Sequence, residues 1–347
     1  MFRILAVLLP LQWGSRYARL DKSPSQWEFD FMTKLIRLRY ALSRKKNHRA
    51  SSGQEESISH RRLRQRFLAF SVPPIRAEES AHAQLPSIRL LWVAHPKDFD
   101  VLPHSVLAAL RHVKNPVTAI DVVSPAPEEA ARLLSPQIPS TTTVNYVHDN
   151  DVVSKEIREK LIHEMSSHGA WATQQLIKVL MAISQPKEAT LVIDADTVLL
   201  RDKVWVNARA QQLLYFRGYT NPRYQHYLRS WGVGEIDDLR SFVTHHMLYQ
   251  PEILRGVLSS TFGSSTPDAL AGAIIASAQE LGFPEFSADY ELYGNVLWAQ
   301  HPANYFLDKY SNIGQARPGN PASLDAALVK LRQQGRYNSA SFHLPNR

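Results

Sequence analysis

Between Ile88 and Leu200, short apolar runs alternate with helical stretches. Ile88 to Ala94 predicts a strand, Val101 to His112 a helix, Val117 to Val123 a second strand and Pro127 to Leu134 a second helix. Thr143 to Val147 predicts a third strand and His148-Asp-Asn-Asp151 a polar turn. A further helix is expected over Ala170 to Ser184, where Leu176, Ile177, Leu180, Met181 and Ile183 form the apolar face. Strands and helices alternating at this spacing imply a mainly parallel sheet with crossover helices. Ligands in such sheets gather outside the carboxyl ends of the strands, so chemistry is expected just after a strand.

The stretch Thr190-Leu-Val-Ile-Asp-Ala-Asp-Thr-Val-Leu-Leu200 is such a place. Read as one strand, it puts Asp194 and Asp196 on the same face, two positions apart. Paired carboxylates there repel each other and are costly to bury unpaired, which favours a divalent cation. Carboxylate oxygens suit Mn²⁺ or Mg²⁺, and such metals often complete their shell with substrate phosphates. The bland alternative, two acids that end a strand and cap a turn, stays open at this level.

Other candidates also follow apolar runs. His95 and Lys97 come directly after the first strand, and Gln175 and Lys178 stand off the apolar face of their helix. Phe242 to Tyr249 predicts a strand with His245 and His246 on opposite faces. Ser287-Ala-Asp-Tyr-Glu-Leu-Tyr-Gly294 opens a helix with Ser287 as its cap and with Asp289 and Glu291 in the first turn, where acids are also favoured by the helix dipole alone. Ser341-Phe-His343 predicts a short strand.

Composition narrows the chemistry. The chain of 347 residues, 44% hydrophobic and 21% charged, is ordinary for a globular protein with a full core. It has no cysteine, so any metal must use oxygen and nitrogen ligands. Glycine fingerprints of dinucleotide-binding and P-loop proteins are absent, as are G-x-S-x-G and H-E-x-x-H. No apolar run approaches the ~20 residues of a spanning helix, and Phe2 to Trp13 is short, broken by Pro10 and without a signal-peptide cleavage pattern.

The formal charge of +8 is unevenly placed. Residues 1–86 hold 16 Lys and Arg against 7 Asp and Glu, which leaves residues 87–347 with 24 against 25. Two parts are therefore expected: a basic, partly helical or disordered extension over 1–86 and a catalytic domain over 87–347. Trp27, Phe31, Leu35, Leu38 and Leu42 recur at helical spacing beside Lys34, Arg37, Arg44, Lys45 and Lys46. This amphipathic basic pattern suits an anionic membrane surface, at about 1 kcal/mol per near-surface basic residue, or a helix docked on the body. A neutral body with a basic arm argues against a nucleic-acid partner. The expected location is cytoplasmic, peripheral on the inner face of the membrane.

Taken together, the helix before the apolar strand, the D-A-D, the His-His strand, D-Y-E-L-Y-G and the final S-F-H resemble nucleotide-sugar glycosyltransferases of the GT-A type, over roughly residues 88–345. Trp171 to Leu200 is similar to the corresponding run of the family that includes glycogenin and the lipopolysaccharide galactosyltransferases. H-H-M-L-Y and E-L-Y-G are closer to an uncharacterised bacterial family assigned to polysaccharide synthesis. The resemblance implies a GT-A-like α/β fold, a UDP- or GDP-type sugar donor and a glycan or lipid-linked acceptor. It implies that Asp194, Asp196 and His343 hold Mn²⁺ or Mg²⁺, and that His95, Lys97, Gln175, Lys178 and Asp194 meet the donor. His245, His246 and Tyr293 become substrate-binding candidates. If such an enzyme inverts, Glu291 or Asp289 is the catalytic carboxylate that deprotonates the acceptor hydroxyl, and if it retains, those two position the sugar. The chain departs from the glycogenin-like pattern in carrying Lys178 where Arg is usual, and in lacking the glycine-containing motif around the last histidine.

Two other readings compete. Asp194-Ala-Asp-Thr-Val-Leu199 also fits the nucleophile motif of haloacid-dehalogenase-like phosphatases, with Asp194 attacking phosphorus, although that motif belongs on a first strand and here three precede it. The other is a non-catalytic, membrane-associated scaffold that uses the basic arm.

Overall fold

The computed structural model describes residues 84–218, 221–281 and 290–344. The amphipathic basic helix expected within residues 1–86 lies outside the described residues, as do Ser287 and Asp289. No helix among the described residues is long and apolar enough to cross a membrane.

The first half alternates as its pattern requires: β1 (Ile88–Val93), α1 (Leu102–His112), β2 (Val117–Ser124), α2 (Pro127–Leu134) and β3 (Thr143–His148). Then come α3 (Asp149–Val152), α4 (Lys155–Met165), α5 (Gly169–Ser184) and β4 (Ala189–Ile193). The second half adds β5 (Thr197–Leu199), β6 (Gln212–Phe216), α6 (Pro222–Ser230), β7 (His246–Tyr249), α7 (Pro251–Phe262), α8 (Pro267–Leu281) and α9 (Tyr290–Gln300). It closes with β8 (Tyr305–Lys309), β9 (Asn312–Ala316), α10 (Pro321–Gln334) and β10 (Ser339–His343).

The central sheet runs β3-β2-β1-β4-β7. Its first four strands are parallel, and β7 joins antiparallel to β4. The expected α/β fold with a mainly parallel central sheet and crossover helices is therefore present. Two smaller sheets, β5-β10-β9 and β6-β8, complete it.

Alternation along each central strand feeds two cores. Leu91, Val93, Val192, Met247 and Tyr249 join one cluster with Leu176, Ile177 and Val179 of α5, while Leu90, Trp92, Leu191, Ile193 and Leu248 join another with Leu102, Val106 and Ala109 of α1. Over β1, β4 and β7 nearly every residue is buried on both faces, which is why β1 and β4 read as near-continuous apolar runs. At about 25 cal/mol per Å² of apolar surface, such two-sided burial is the main force holding the sheet. The helix pair α4 and α5 meets at Gly169, where an added Cβ would lie 2.4 Å from Ile162 Cα, so only glycine allows this approach.

Three expected elements differ. The run Thr190 to Leu200 is two strands, because the chain turns at Asp194 to Asp196, closed by Thr197 N donating to Asp194 O at 2.9 Å, and β5 leaves for a different sheet. The polar turn after β3 is the short helix α3, whose first amides are met by His148 Nδ1, which accepts from Asn150 N at 3.1 Å. The strand expected from Phe242 begins only at His246. The Phe242 and Val243 amides donate to Glu291 Oε2 at 2.7 and 3.1 Å instead of to a neighbouring strand.

Candidate functional site

Two strand pairings build the site from distant segments. β4 pairs with β7 in a register that sets Ile193 opposite His246, and one step further Asp194 N donates to His245 O at 2.9 Å. That step brings the His245 ring to Asp194, Nδ1 to Oδ2 at 3.0 Å. β5 pairs antiparallel with β10, Thr197 opposite Ser341, and Phe342 N donates to Asp196 O at 2.8 Å. His343 then reaches Asp196, Nδ1 to Oδ2 at 3.0 Å. The side-chain geometry comes from the turn rather than from strand alternation, and it still converges: donor atoms of Asp194, Asp196 and His245 lie within 4.8 Å of one another.

The two carboxylates are not equivalent. Lys178 Nζ donates to Asp194 Oδ1 at 2.7 Å, and Tyr290 donates to the same oxygen at 3.0 Å. Burial opposes the charge on Asp194, but Lys178 and His245 together outweigh it and hold this carboxyl well below its usual range. Asp196 moves the other way, raised by burial and then by the neighbouring Asp194 charge. One carboxylate is satisfied within the protein, and the other carries charge that its surroundings do not balance. Two carboxylate oxygens with an imidazole nitrogen match the chemistry of Mn²⁺ or Mg²⁺, so these residues fit such an ion.

The remaining sequence candidates divide by position. Lys178, only 2% exposed, is held by Gln175, whose Oε1 accepts from its Nζ at 3.2 Å. Both therefore support Asp194 from behind. His95 and Lys97 are exposed, and His95 Nδ1 accepts from Lys97 N at 3.2 Å. Their loop is tied to the end of β10 by Arg317, which donates to Asp98 Oδ1 at 2.7 Å and to Phe342 O at 3.1 Å. They thus stand on the rim near His343, which is half exposed at 50%.

His246, Tyr293 and Glu291 are buried away from that rim. His246 is enclosed edge-on by Trp205, Tyr215 and Tyr310, and burial lowers its pKa to about 3, so it is neutral. Tyr293 donates to Gln212 Oε1 at 2.7 Å and accepts from Gln250 N at 3.0 Å. Glu291, with no exposed surface, takes the Ser241 hydroxyl at 3.0 Å as well as the two amides on Oε2, and burial raises its pKa to about 7. Gly294, one turn further along α9, has Phe242 packed where its Cβ would be, 2.3 Å from Phe242 Cβ. Glu291 and Gly294 together fix the segment that delivers His245.

Five residues that touch the site were not among the sequence candidates. Tyr290 sits between the two acids singled out in D-Y-E-L-Y-G, and the register of α9 turns it, not Glu291, toward Asp194. Tyr310 accepts from His245 N at 3.1 Å, and Arg217 lies over its ring at 4.7 Å. These two join His245, His343, Asn312 and Gly314 around an open cleft of about 420 Å³. Tyr310 and Asn312 lie at short strands that carry no sequence signal. Arg217 falls in the segment around Tyr215 to Trp231, rich in Tyr, Arg and Trp as stacking surfaces and half-buried lids both are, and Tyr290 in a motif already noticed.

No family model and no curated protein matches the chain. Among solved structures, the chain is similar to mouse xyloside xylosyltransferase 1 in its apo form. The identity is 14% over 75% of this chain and 100% of that one, with a TM-score of 0.42.

Proposed function

We propose that the protein is a metal-dependent glycosyltransferase that moves a sugar from a UDP- or GDP-type donor to a glycan or lipid-linked acceptor. The observation that carries the reading is the convergence of Asp194, Asp196 and His245 at the carboxyl end of β4, the place where ligands of mainly parallel sheets bind. The D-x-D resemblance of the sequence points the same way. Asp194, Asp196 and His245 would hold Mn²⁺ or Mg²⁺, with His343 beside Asp196 as a further nitrogen. When bound, the ion supplies positive charge where the leaving diphosphate gains negative charge.

The chain's own residues orient that site. Lys178 and Tyr290 fix one oxygen of Asp194, leaving Oδ2 toward His245. Glu291 acts in this reading through residues 241–243, which it anchors, rather than as an acid in the cleft. The phosphatase alternative fits less well, since Asp194 as nucleophile would have to work while both its oxygens are engaged by Lys178, Tyr290 and His245.

A thermal-shift series tests the proposal. UDP or GDP should raise the melting temperature only with Mn²⁺ or Mg²⁺ present, and Asp196→Asn should remove the effect. Nucleotide binding that ignores the metal would remove the site assignment.

A further inference from the structure

Arg217 follows β6 directly, and its backbone is fixed on both sides by Ser241, donating to Ser241 O at 2.8 Å and accepting from Ser241 N at 3.1 Å. Its guanidinium lies over the Tyr310 ring, 4.7 Å from the centroid. Among the described residues no carboxylate pairs with it. It nonetheless lines the cleft of about 420 Å³, together with His245, Tyr310, Asn312, Gly314 and His343, none of them acidic.

A permanently charged side chain without a carboxylate partner, stacked so that its fork is held in a cleft, is a receptor for an anion. The cleft shares His245 and His343 with the carboxylate cluster, so an anion here lies beside the candidate metal site. A planar fork of donors suits phosphoryl oxygens, which accept two parallel hydrogen bonds. We propose that Arg217 is the anion-binding residue of this cleft and contacts the diphosphate of the sugar donor. The identity of the anion rests on the glycosyltransferase reading; the anion site itself rests on Arg217 and the cleft.

The test uses the full chain, with inorganic pyrophosphate in the presence of Mn²⁺ as the probe, followed by titration calorimetry. Arg217→Gln should weaken pyrophosphate binding about tenfold to a hundredfold, the range of a charge-assisted hydrogen-bonded pair. Arg217→Lys should recover only part of the loss, because it keeps the charge and not the fork. Affinity for Mn²⁺ alone, read by electron paramagnetic resonance, should stay at the native value in both variants. Native pyrophosphate affinity in Arg217→Gln, or no pyrophosphate binding by the native chain, overturns the proposal. So does a parallel fall in Mn²⁺ affinity, which would mark Arg217 as a prop for Tyr310 and His245. A parallel titration with UDP and GDP separates the two claims. Arg217-dependent pyrophosphate binding with no nucleotide binding would keep the anion site and remove the glycosyltransferase reading.

Discussion

The ammonium of Lys178 stands 2.7 Å from Asp194 Oδ1, so one of the two carboxylates that face a candidate metal site already has a counter-ion from the chain itself. The pair makes the site tolerable without metal. It also places a positive charge next to the ion the site would hold.

Lys178→Met therefore has two opposite effects. Removing one partner of a largely buried ion pair costs about 3 kcal/mol, at the low end because the Asp194 side chain is one-fifth exposed. The melting temperature without metal should fall accordingly. Mn²⁺ should then raise it by more in the variant than in the native chain, since the cation takes over the role of the lost ammonium. Equal Mn²⁺-induced rises in the two proteins would show that the ammonium and the ion do not compete.

Glu291 gives a prediction in pH. Its carboxyl is raised from 4.5 to about 7 by burial, so between those values the folded chain keeps a proton that the unfolded chain releases. Stability from this group is greatest below pH 4.5, falls as pH rises toward 7 by roughly 3 kcal/mol, and is constant above that. Glu291→Gln keeps an acceptor oxygen for Ser241, Phe242 and Val243 and removes the charge. Urea unfolding from pH 4.5 to 7.5 should show the variant gaining on the native chain across this window. A difference that does not change with pH would refute it.

Gly294→Ala probes the contact that positions His245. The added methyl would meet Phe242 Cβ at 2.3 Å, and Phe242 is fully buried, so the cost is at the upper end of overpacking, about 3 kcal/mol. Phe242 lies three residues before His245. Mn²⁺ affinity should therefore drop along with the melting temperature, whereas a variant that melts at the native temperature would mean that Phe242 yields freely.

Much of the first half was legible because its code is local. β1, β2 and α5 are buried on a face or on both, β3 is partly buried, and their apolar runs mark all four within a residue or two. The turn at Asp194-Ala-Asp196 was not, because Thr197 to Leu199 is as apolar as the strand before it and only its pairing with β10, far along the chain, pulls it into another sheet. The late start of β7 was hidden for the same reason, since its cause is Glu291 some 50 residues away. Of the site, the two carboxylates and both histidines beside them could be named from sequence. Tyr310 and Asn312 could not, since nothing in their own surroundings in the chain distinguishes them, and Tyr290 lay in a motif already noticed but is singled out only by the register of α9.

Asp196 and His343 meet across 147 residues of chain, through the pairing of β5 with β10. On the ribosome, the four parallel strands of the central sheet can assemble once the segment through β4 has emerged, but this corner has to wait until residue 343 has been made. At ordinary elongation speeds that delay is about 7 to 30 seconds. Throughout that interval the aspartate pair exists without its neighbouring strand, and a cation arriving early would meet Asp194 and its lysine before it met a finished cleft.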